Sequence, residues 1–489
     1  MWRARRPAVT SRRRISLRRW LIVLVATLFP CSGGFAEPAT ECPDGGDGAT
    51  IHIAALGTGG GSGTVDDPYD GLGLRLDRLL RQRSERGVES LLVCIGPGTY
   101  PTEGVMDYAM YRGHLSSTPG GFTIGKSWRV IGAGVGSTTL RLVNLYMPQP
   151  ANEGFVDTQT NRVFTSRTDA VEGIEIAHLT IDLNYQEMKE LARSRGYPGV
   201  SLEAIYIRSS RGRNWIHDVH VVNLAGEYGE NFPVSLWSLK GFPGPSGTGA
   251  GGVPGRDNVI ERVRVSGWFG GATTAISIVN STGVIQDCVV DFRGGVNAPA
   301  AGFTIAFTGH YNGNGGDIDP AIIIRRNTVL GADYGTNNDT WRTERILIED
   351  NVFDTRRYGS VVGGGYPFSS MMVRNNVIRL PATGIGVVFQ GRVRDSLVSG
   401  NTITIAAPRP ALPAMRTSAG NTGNTSSGNV VCWSDCSCPC PGCGRGGAAV
   451  EFRGKGNDGN TVMGNTVRYT GVGCDCADVS RRERNSEAP

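Results

Sequence analysis

Lysine is almost missing: the 489-residue chain carries four, Lys126, Lys189, Lys240 and Lys455, against 45 arginines. A positive charge in any site is therefore expected to be an arginine, whose planar fork suits carboxylates. Acidic residues are missing altogether from residues 1–36, where eight arginines lead into the apolar core Trp20 to Phe29. That imbalance, with Gly34-Phe-Ala36 offering small residues for cleavage, reads as an export signal. Its core is too short for a permanent transmembrane helix, so no membrane span is expected after its removal. Ser11-Arg12-Arg13-Arg14-Ile15 fits a twin-arginine signal and also an ordinary basic leader; either makes the mature protein periplasmic or secreted. The formal charge of +5 less eight leader arginines is −3, which removes the motive for nucleic acid as a partner. No Gly-Lys-Ser/Thr follows the glycine-rich residues 58–64, so they are not a phosphate loop. Cysteine is crowded into one place: Cys432, Cys436, Cys438, Cys440, Cys443, Cys474 and Cys476, without a pair of Cys-x-x-Cys motifs. In an exported chain that tail is expected to hold disulfides, with metal the minority reading. Cys288 reads as a buried residue.

What the chain does have is a repeat. Ile324-Arg-Arg-Asn327-Thr-Val329, Ile348-Glu-Asp-Asn351-Val-Phe353, Val373-Arg-Asn-Asn376-Val-Ile378 and Val398-Ser-Gly-Asn401-Thr-Ile403 start 24, 25 and 25 residues apart. An apolar residue, two variable ones, an asparagine, one more and an apolar residue, recurring at that period, is the pattern of a coiled parallel sheet with a short strand and a tight turn per rung. The asparagines are expected to stack and to hydrogen-bond along the stack. The frame continues forwards to Asn465 and, through Ser426-Ser-Gly-Asn429-Val-Val431, less regularly. Backwards it runs through Ile285, Ile260, Ile216 and Ile176, where the fourth position becomes Cys288, Val263, Val219 and Leu179. Intervals of 40, 44 and 39 residues in this earlier half mark added loops at 183–199, 223–258 and 308–320.

Ahead of the repeat, Asp66 or Asp67 is placed to cap a helix holding Leu72, Leu76, Leu79 and Leu80 and ending near Gly87. A strand, Ser90 to Ile95, the turn Gly96-Pro-Gly-Thr-Tyr100 and Val130-Ile-Gly-Ala-Gly134 follow. This order resembles the opening of the pectate-lyase-like superfamily, and with the rungs the resemblance covers roughly residues 50–470. It implies an all-β fold, a right-handed parallel β-helix with a short N-terminal capping helix. The expected organisation is an export signal at 1–36, the β-helix with its cap at 37–470 and a polar tail at 471–489. Activity is not carried over. Trp215-Ile-His-Asp218 is similar to the Trp-Ile-Asp-His of pectate lyases with two letters transposed, but it lies in rung frame and is read as scaffold. Gly309-His-Tyr311 is similar to the Gly-His-Gly of polygalacturonases, whose paired Asp-Asp and Arg-Ile-Lys are absent here.

One rung breaks the apolar rule. Where Ala275-Ile-Ser-Ile-Val279 and Gly386-Val-Val-Phe389 alternate, the rung before Ile348 has Asp333-Tyr334 and then Gly335-Thr-Asn-Asn-Asp-Thr-Trp-Arg342. Local rules that fail once in a consistent sequence mark a functional site, or a solvated strand. Asp333 and Asp339 are the acid/base candidates, with His310 and Arg342 assisting. Tyr311, Tyr334 and Trp341 are candidates for stacking on sugars, and Arg357 and Tyr358 of the next rung for binding. Asn312-x-Asn-x-x-Asp317-x-Asp319 is oxygen-rich enough for Ca²⁺, the one candidate cofactor, although it does not match the calcium-loop pattern. The expected partner is a polysaccharide, an acidic one included, cleaved by lyase or hydrolase chemistry. The alternative is a non-catalytic carbohydrate-binding or cell-surface protein of the same fold.

Overall fold

In a computed structural model of the chain, the residues described are 42–43, 49–106, 121–145, 160–166, 171–197, 199–208, 211–225, 230–238, 255–269, 272–294, 304–311, 320–338, 343–363, 368–406, 413–418, 420–434, 450–452, 457–471 and 474–475. The leader and most of the cysteine-rich tail, including Cys436 to Cys443 and Cys476, lie outside them.

The frame read from the sequence is the register of the sheet. Ile176 pairs with Ile216, then Ile260, Ile285, Ile324, Ile348, Val373, Val398, Ser426 and Val462, always parallel. From Ile176 to Ile348 every one of these first positions is 0% exposed, as are the last positions Val329, Phe353, Ile378 and Ile403. An outward neighbour follows each inward residue because side chains on a strand alternate. The result is a single core inside a right-handed parallel β-helix.

Three sheets run along the rungs, one more than the frame alone shows, and a short fourth sheet of Thr343–Glu344, Phe368–Ser369 and Val393–Arg394 joins them at the central rungs. The first sheet takes the first half of each frame, as in Ile322–Arg325 and Ile346–Glu349. The second takes the last half, and the third a further stretch, as in Ser201–Arg208, Val234–Trp237, Ala272–Val279, Thr304–His310 and Ile385–Phe389. The interval 223–258 is thus not all added loop, since Val234–Trp237 is a rung strand paired to Ile205–Arg208 and Ile276–Val279. Within 183–199 the chain forms a helix, Tyr185–Ser194, burying Tyr185, Met188 and Ala192.

The corner between first and second sheets has one backbone solution. The third frame residue, just before the asparagine, is left-handed in His178, Asp218, Arg262, Asp287, Arg326, Asp350 and Asn375, with φ between 50° and 56°, and in Gly400 at 64°. Asn, Asp and Gly tolerate that region best, which is why they recur there. Immediately after it the asparagines form the expected ladder. The side-chain amide of Asn327 donates to Oδ1 of Asn351 (3.0 Å), Asn351 to Asn376, Asn376 to Asn401, and Asn401 to Asn429 (2.9 Å each), and Asn429 to Asn465 (2.8 Å). Each Oδ1 also accepts the backbone N–H of the preceding asparagine, so both ends of every buried amide are used.

The capping helix is Arg75–Glu85, with Leu76 and Leu80 fully buried against the first rungs. Its N-cap is Leu74, in a left-handed conformation and without a side-chain cap, and neither Asp66 nor Asp67 serves. Asp67 instead accepts the Ser62 N–H (2.8 Å) and folds its own loop. Asp70 braces the entry to the helix, accepting from the Leu72 N–H and from the Arg75 guanidinium. Cys288 is buried as expected, its thiol pushed up to about 12 by burial. A disulfide joins Cys42 to Cys94 in the first sheet.

Candidate functional site

On the third sheet the inward columns are Ile205, Val234, Ile276 and Phe307, and Ile207, Leu236 and Ile278. The columns between them therefore face outwards. One holds Tyr206, Ser235, Ser277 and Thr308 in register; the other holds Arg208, Trp237, Val279 and His310. Tyr334 and Tyr358 extend this face by two rungs, in register with Ile305 and Ile385.

The polar rung is less anomalous inside the sheet than its sequence implies. Thr336 and Asn338 point into the core and are 0% exposed. Thr336 donates to Ser360 Oγ on the next rung (2.8 Å), and Asn338 Oδ1 accepts the Gly309 N–H on the rung before (2.9 Å). Half of the signal is thus internal bracing.

At the edge of this rung Asp333 is nearly buried. Its Oδ2 accepts both the backbone N–H and the hydroxyl of Thr304 (3.0 Å each), while Oδ1 faces Nε of Arg356 (3.4 Å) and of Arg357 (3.7 Å). Arg356 also donates to the Thr304 hydroxyl. Such a carboxylate anchors arginines; a general base needs an oxygen turned to substrate. The half-buried rings of Tyr334 and Tyr358 stack on each other, centroids 5.0 Å apart at 24°. Each ring gives one face to its neighbour, so less face is left for a sugar than a lone ring would offer. His310 hydrogen-bonds Thr343 Oγ1 through Nδ1 (3.1 Å), and burial pushes its imidazole down to about 3, so it is neutral at ordinary pH. Tyr311 corrects the expectation for it: the side chain is 0% exposed within the core and has no face for a sugar. Asp339, Trp341, Arg342, Asp317 and Asp319 lie outside the described residues.

Four and five rungs earlier, on Ser201–Arg208 and Thr160–Ser166, the same sheet carries a second charged group that the sequence reading missed. Arg162 and Glu203 form a buried ion pair, and the Arg162 guanidinium lies 4.1 Å from the centre of the Tyr206 ring. Arg208, also buried, is 5.8 Å from that ring on the same strand. Tyr206 packs on Trp237, and Trp237 edge-on to the half-buried Phe232, whose N–H donates to Glu203 (3.0 Å). The available signal was the outward alternation Glu203, Tyr206, Arg208 along one strand, whose inward neighbours are Ala204, Ile205 and Ile207.

On the first sheet, Trp215 and His217 lie in rung frame as read, but their side chains leave the scaffold. His217 Nδ1 meets Asp218 (2.7 Å) and Nε2 meets Glu175 (3.2 Å), with Trp215 stacked on the ring at 3.8 Å. Burial pulls the His217 pKa down, yet hydrogen bonds and charge from Asp218 and Glu175 outweigh it and leave it above the ordinary value.

No family model matches the chain, and no curated protein matches it. Solved structures do. The A-module of mannuronan C-5 epimerase AlgE4 from Azotobacter vinelandii has a TM-score of 0.52 at 13% identity, covering 85% of this chain and 95% of its own. The tailspike protein of E. coli bacteriophage HK620, solved in complex with a pentasaccharide, has a TM-score of 0.54 at 11% identity, covering 84% and 67%. Both are right-handed parallel β-helices. At such identities the likeness shows the fold.

Proposed function

We propose that the protein is an exported β-helix that acts on a polysaccharide laid along the outer face of its third sheet. The observation carrying this is the accessible rings and charge in that sheet's outward positions: half-buried Phe232 at one end, and half-buried Tyr334 and Tyr358 with exposed Arg357 at the other, while the buried Arg162, Glu203, Tyr206 and Arg208 brace the sheet behind Phe232. Arginines beside aromatic rings suit a uronate, whose carboxylate takes a guanidinium and whose ring face takes an aromatic. By their names, two proteins of this fold handle mannuronan and a pentasaccharide, which is support by analogy. The Cys42–Cys94 disulfide fits an oxidising compartment and so the export reading of the leader.

For chemistry of the lyase or hydrolase type, Asp339 is the acid/base candidate, with Arg342 assisting and Trp341 stacking, while Asp333 holds Arg356 and Arg357 in place. The test is purified mature protein against a panel of uronate and neutral polysaccharides, read for unsaturated products, new reducing ends and retention on immobilised glycan. Asp339→Asn is expected to fold and to lower turnover at least ~100-fold. Trp341→Ala is expected mainly to weaken binding. Retention on glycan without any product makes the protein a binder, and neither retention nor product on any glycan overturns the reading.

A further inference from the structure

The corner between first and second sheets stacks third-position residues of successive rungs, so His178, Asp218 and Arg262 form one outward column. The second-position residues Ala177, His217 and Glu261 form the column beside it. Two histidines and a carboxylate thereby meet across a 40-residue stretch of sequence: one ligand atom each of His178, His217 and Asp218 lies within 4.8 Å of the others. The imidazole rings stand perpendicular, with centroids 5.1 Å apart.

We propose that His178, His217 and Asp218 bind one transition-metal ion of the Zn²⁺ class. The donor set is two imidazole nitrogens and one carboxylate oxygen, which suits borderline first-row ions and not Ca²⁺ or Mg²⁺, whose ligands are oxygens. Three protein ligands leave a fourth position for water or a ligand. His178 and Asp218 are only half-buried, so solvent reaches the cluster.

What separates this from three side chains that happen to meet is the support behind them. A metal-bound imidazole is held by giving its other N–H to a carboxylate. His217 Nε2 is 3.2 Å from Glu175 Oε1, and Glu175 is in turn gripped by Arg129. That leaves Nδ1 aimed at Asp218 Oδ2, 2.7 Å away, in the hydrogen bond that an entering ion replaces as the two atoms part by about half an ångström to the spacing of tetrahedral ligands. Asp218 is oriented by Arg262, through Nε to Oδ1 and Nη2 to Oδ2, 2.8 Å each. Trp215 fixes the imidazole from its face and is tied by its indole N–H to Glu261. Arg262 opposes a cation electrostatically, whereas Glu175 and Glu261 favour one. This site is on the first sheet, apart from the polysaccharide face, and does not depend on it.

The test uses full-length protein with its disulfides intact, stripped with chelator and titrated calorimetrically with Zn²⁺ and separately with Ca²⁺. One equivalent of Zn²⁺ is expected that both His178→Asn and His217→Gln lose, and that Glu175→Gln binds about 10- to 100-fold more weakly. His178→Asn is the safest of these for folding, because asparagine accepts the left-handed backbone at that corner. Circular dichroism confirms the fold of each variant before titration. Zn²⁺ is also expected to raise the melting temperature of the wild type and not of His178→Asn, since an ion binding only the folded state stabilises it. Co²⁺ in place of Zn²⁺ separates this site from the cysteine-rich tail: nitrogen and oxygen ligands give visible bands without thiolate charge transfer. The same equivalent retained in both histidine variants, a spectrum of thiolate character alone, or no uptake by the wild type overturns the proposal.

Discussion

At the scale of single residues, the asparagine of each frame shows why one polar side chain can repeat inside an apolar solenoid. Asn376 donates to Asn401 Oδ1 and to the backbone carbonyl of Ile348, while its own Oδ1 accepts the amide and the backbone N–H of Asn351. Asn376→Leu removes all of these and strands groups on both neighbouring rungs at once. The expected cost is about 1 to 3 kcal/mol in a denaturant melt, and a melt identical to wild type would remove the ladder as a source of stability. The same logic explains where the ladder stops. Cys288, which takes the place of the next asparagine, donates its N–H to Asn327 but its thiol has no amide to pass on. Below it the corner is packed by Val263, Val219 and Leu179, all buried.

At the scale of elements, the capping helix carries a charge that its position makes costly. Asp77 is buried beneath the helix, accepting from the Glu103 N–H (2.7 Å) and the Thr102 hydroxyl (3.1 Å). Burial lifts its carboxyl to about 7, against the lowering effect of those two hydrogen bonds. A folded pKa above the unfolded one means stability that is full below the unfolded value of 3.8 and lost as pH rises through about 7. Asp77→Asn keeps the shape and removes the titration. Between about pH 5 and pH 8 the wild type should lose roughly 2 to 3 kcal/mol relative to the variant, at ~1.4 kcal/mol per pKa unit. Parallel pH profiles for the two proteins would rule this out. The helix itself was legible from its leucine spacing, but its N-cap was not: Leu74 is left-handed and caps without a side-chain hydrogen bond, which no propensity predicts for leucine. The rungs were legible because each places the same apolar residues at a fixed offset. The second helix, Tyr185–Ser194, hid inside an interval readable only as excess length, although Tyr185, Met188 and Ala192 recur at helical spacing. The site was legible only in part. Asp333, Tyr334, His310 and Tyr358 do share one sheet, because a polar interruption in an apolar column is a sequence signal. Glu203 and Arg208 gave only the alternation of one strand, which is weak because outward residues on a strand are polar anyway, and only register shows Arg208 aligned with Trp237.

At the scale of the whole molecule, a solenoid measures length: each rung advances about 4.8 Å, so a face four rungs long spans roughly 19 Å. From Phe232 the rungs run through Thr274 and Ile305 to Tyr334 and Tyr358, the last four paired in register. A polysaccharide lying along this face touches Phe232 and Tyr358 together only if it is long enough, and a short oligosaccharide meets one end or the other. Affinity should therefore rise with chain length until the ligand spans both ends and then level off, as a second contact on the same chain costs no further association entropy. Phe232→Ala and Tyr334→Ala should each weaken a long oligosaccharide by roughly 0.5 to 1.5 kcal/mol, the usual worth of an aromatic contact. For a ligand too short to bridge, the two losses should not combine, because no single molecule feels both. Calorimetry with a graded series of oligosaccharides from the polysaccharide that the screen identifies makes the comparison. A length-independent affinity, or equal losses for short and long ligands in the double variant, would place the substrate across the solenoid and not along it, and the outward columns of the third sheet would lose their role as a groove.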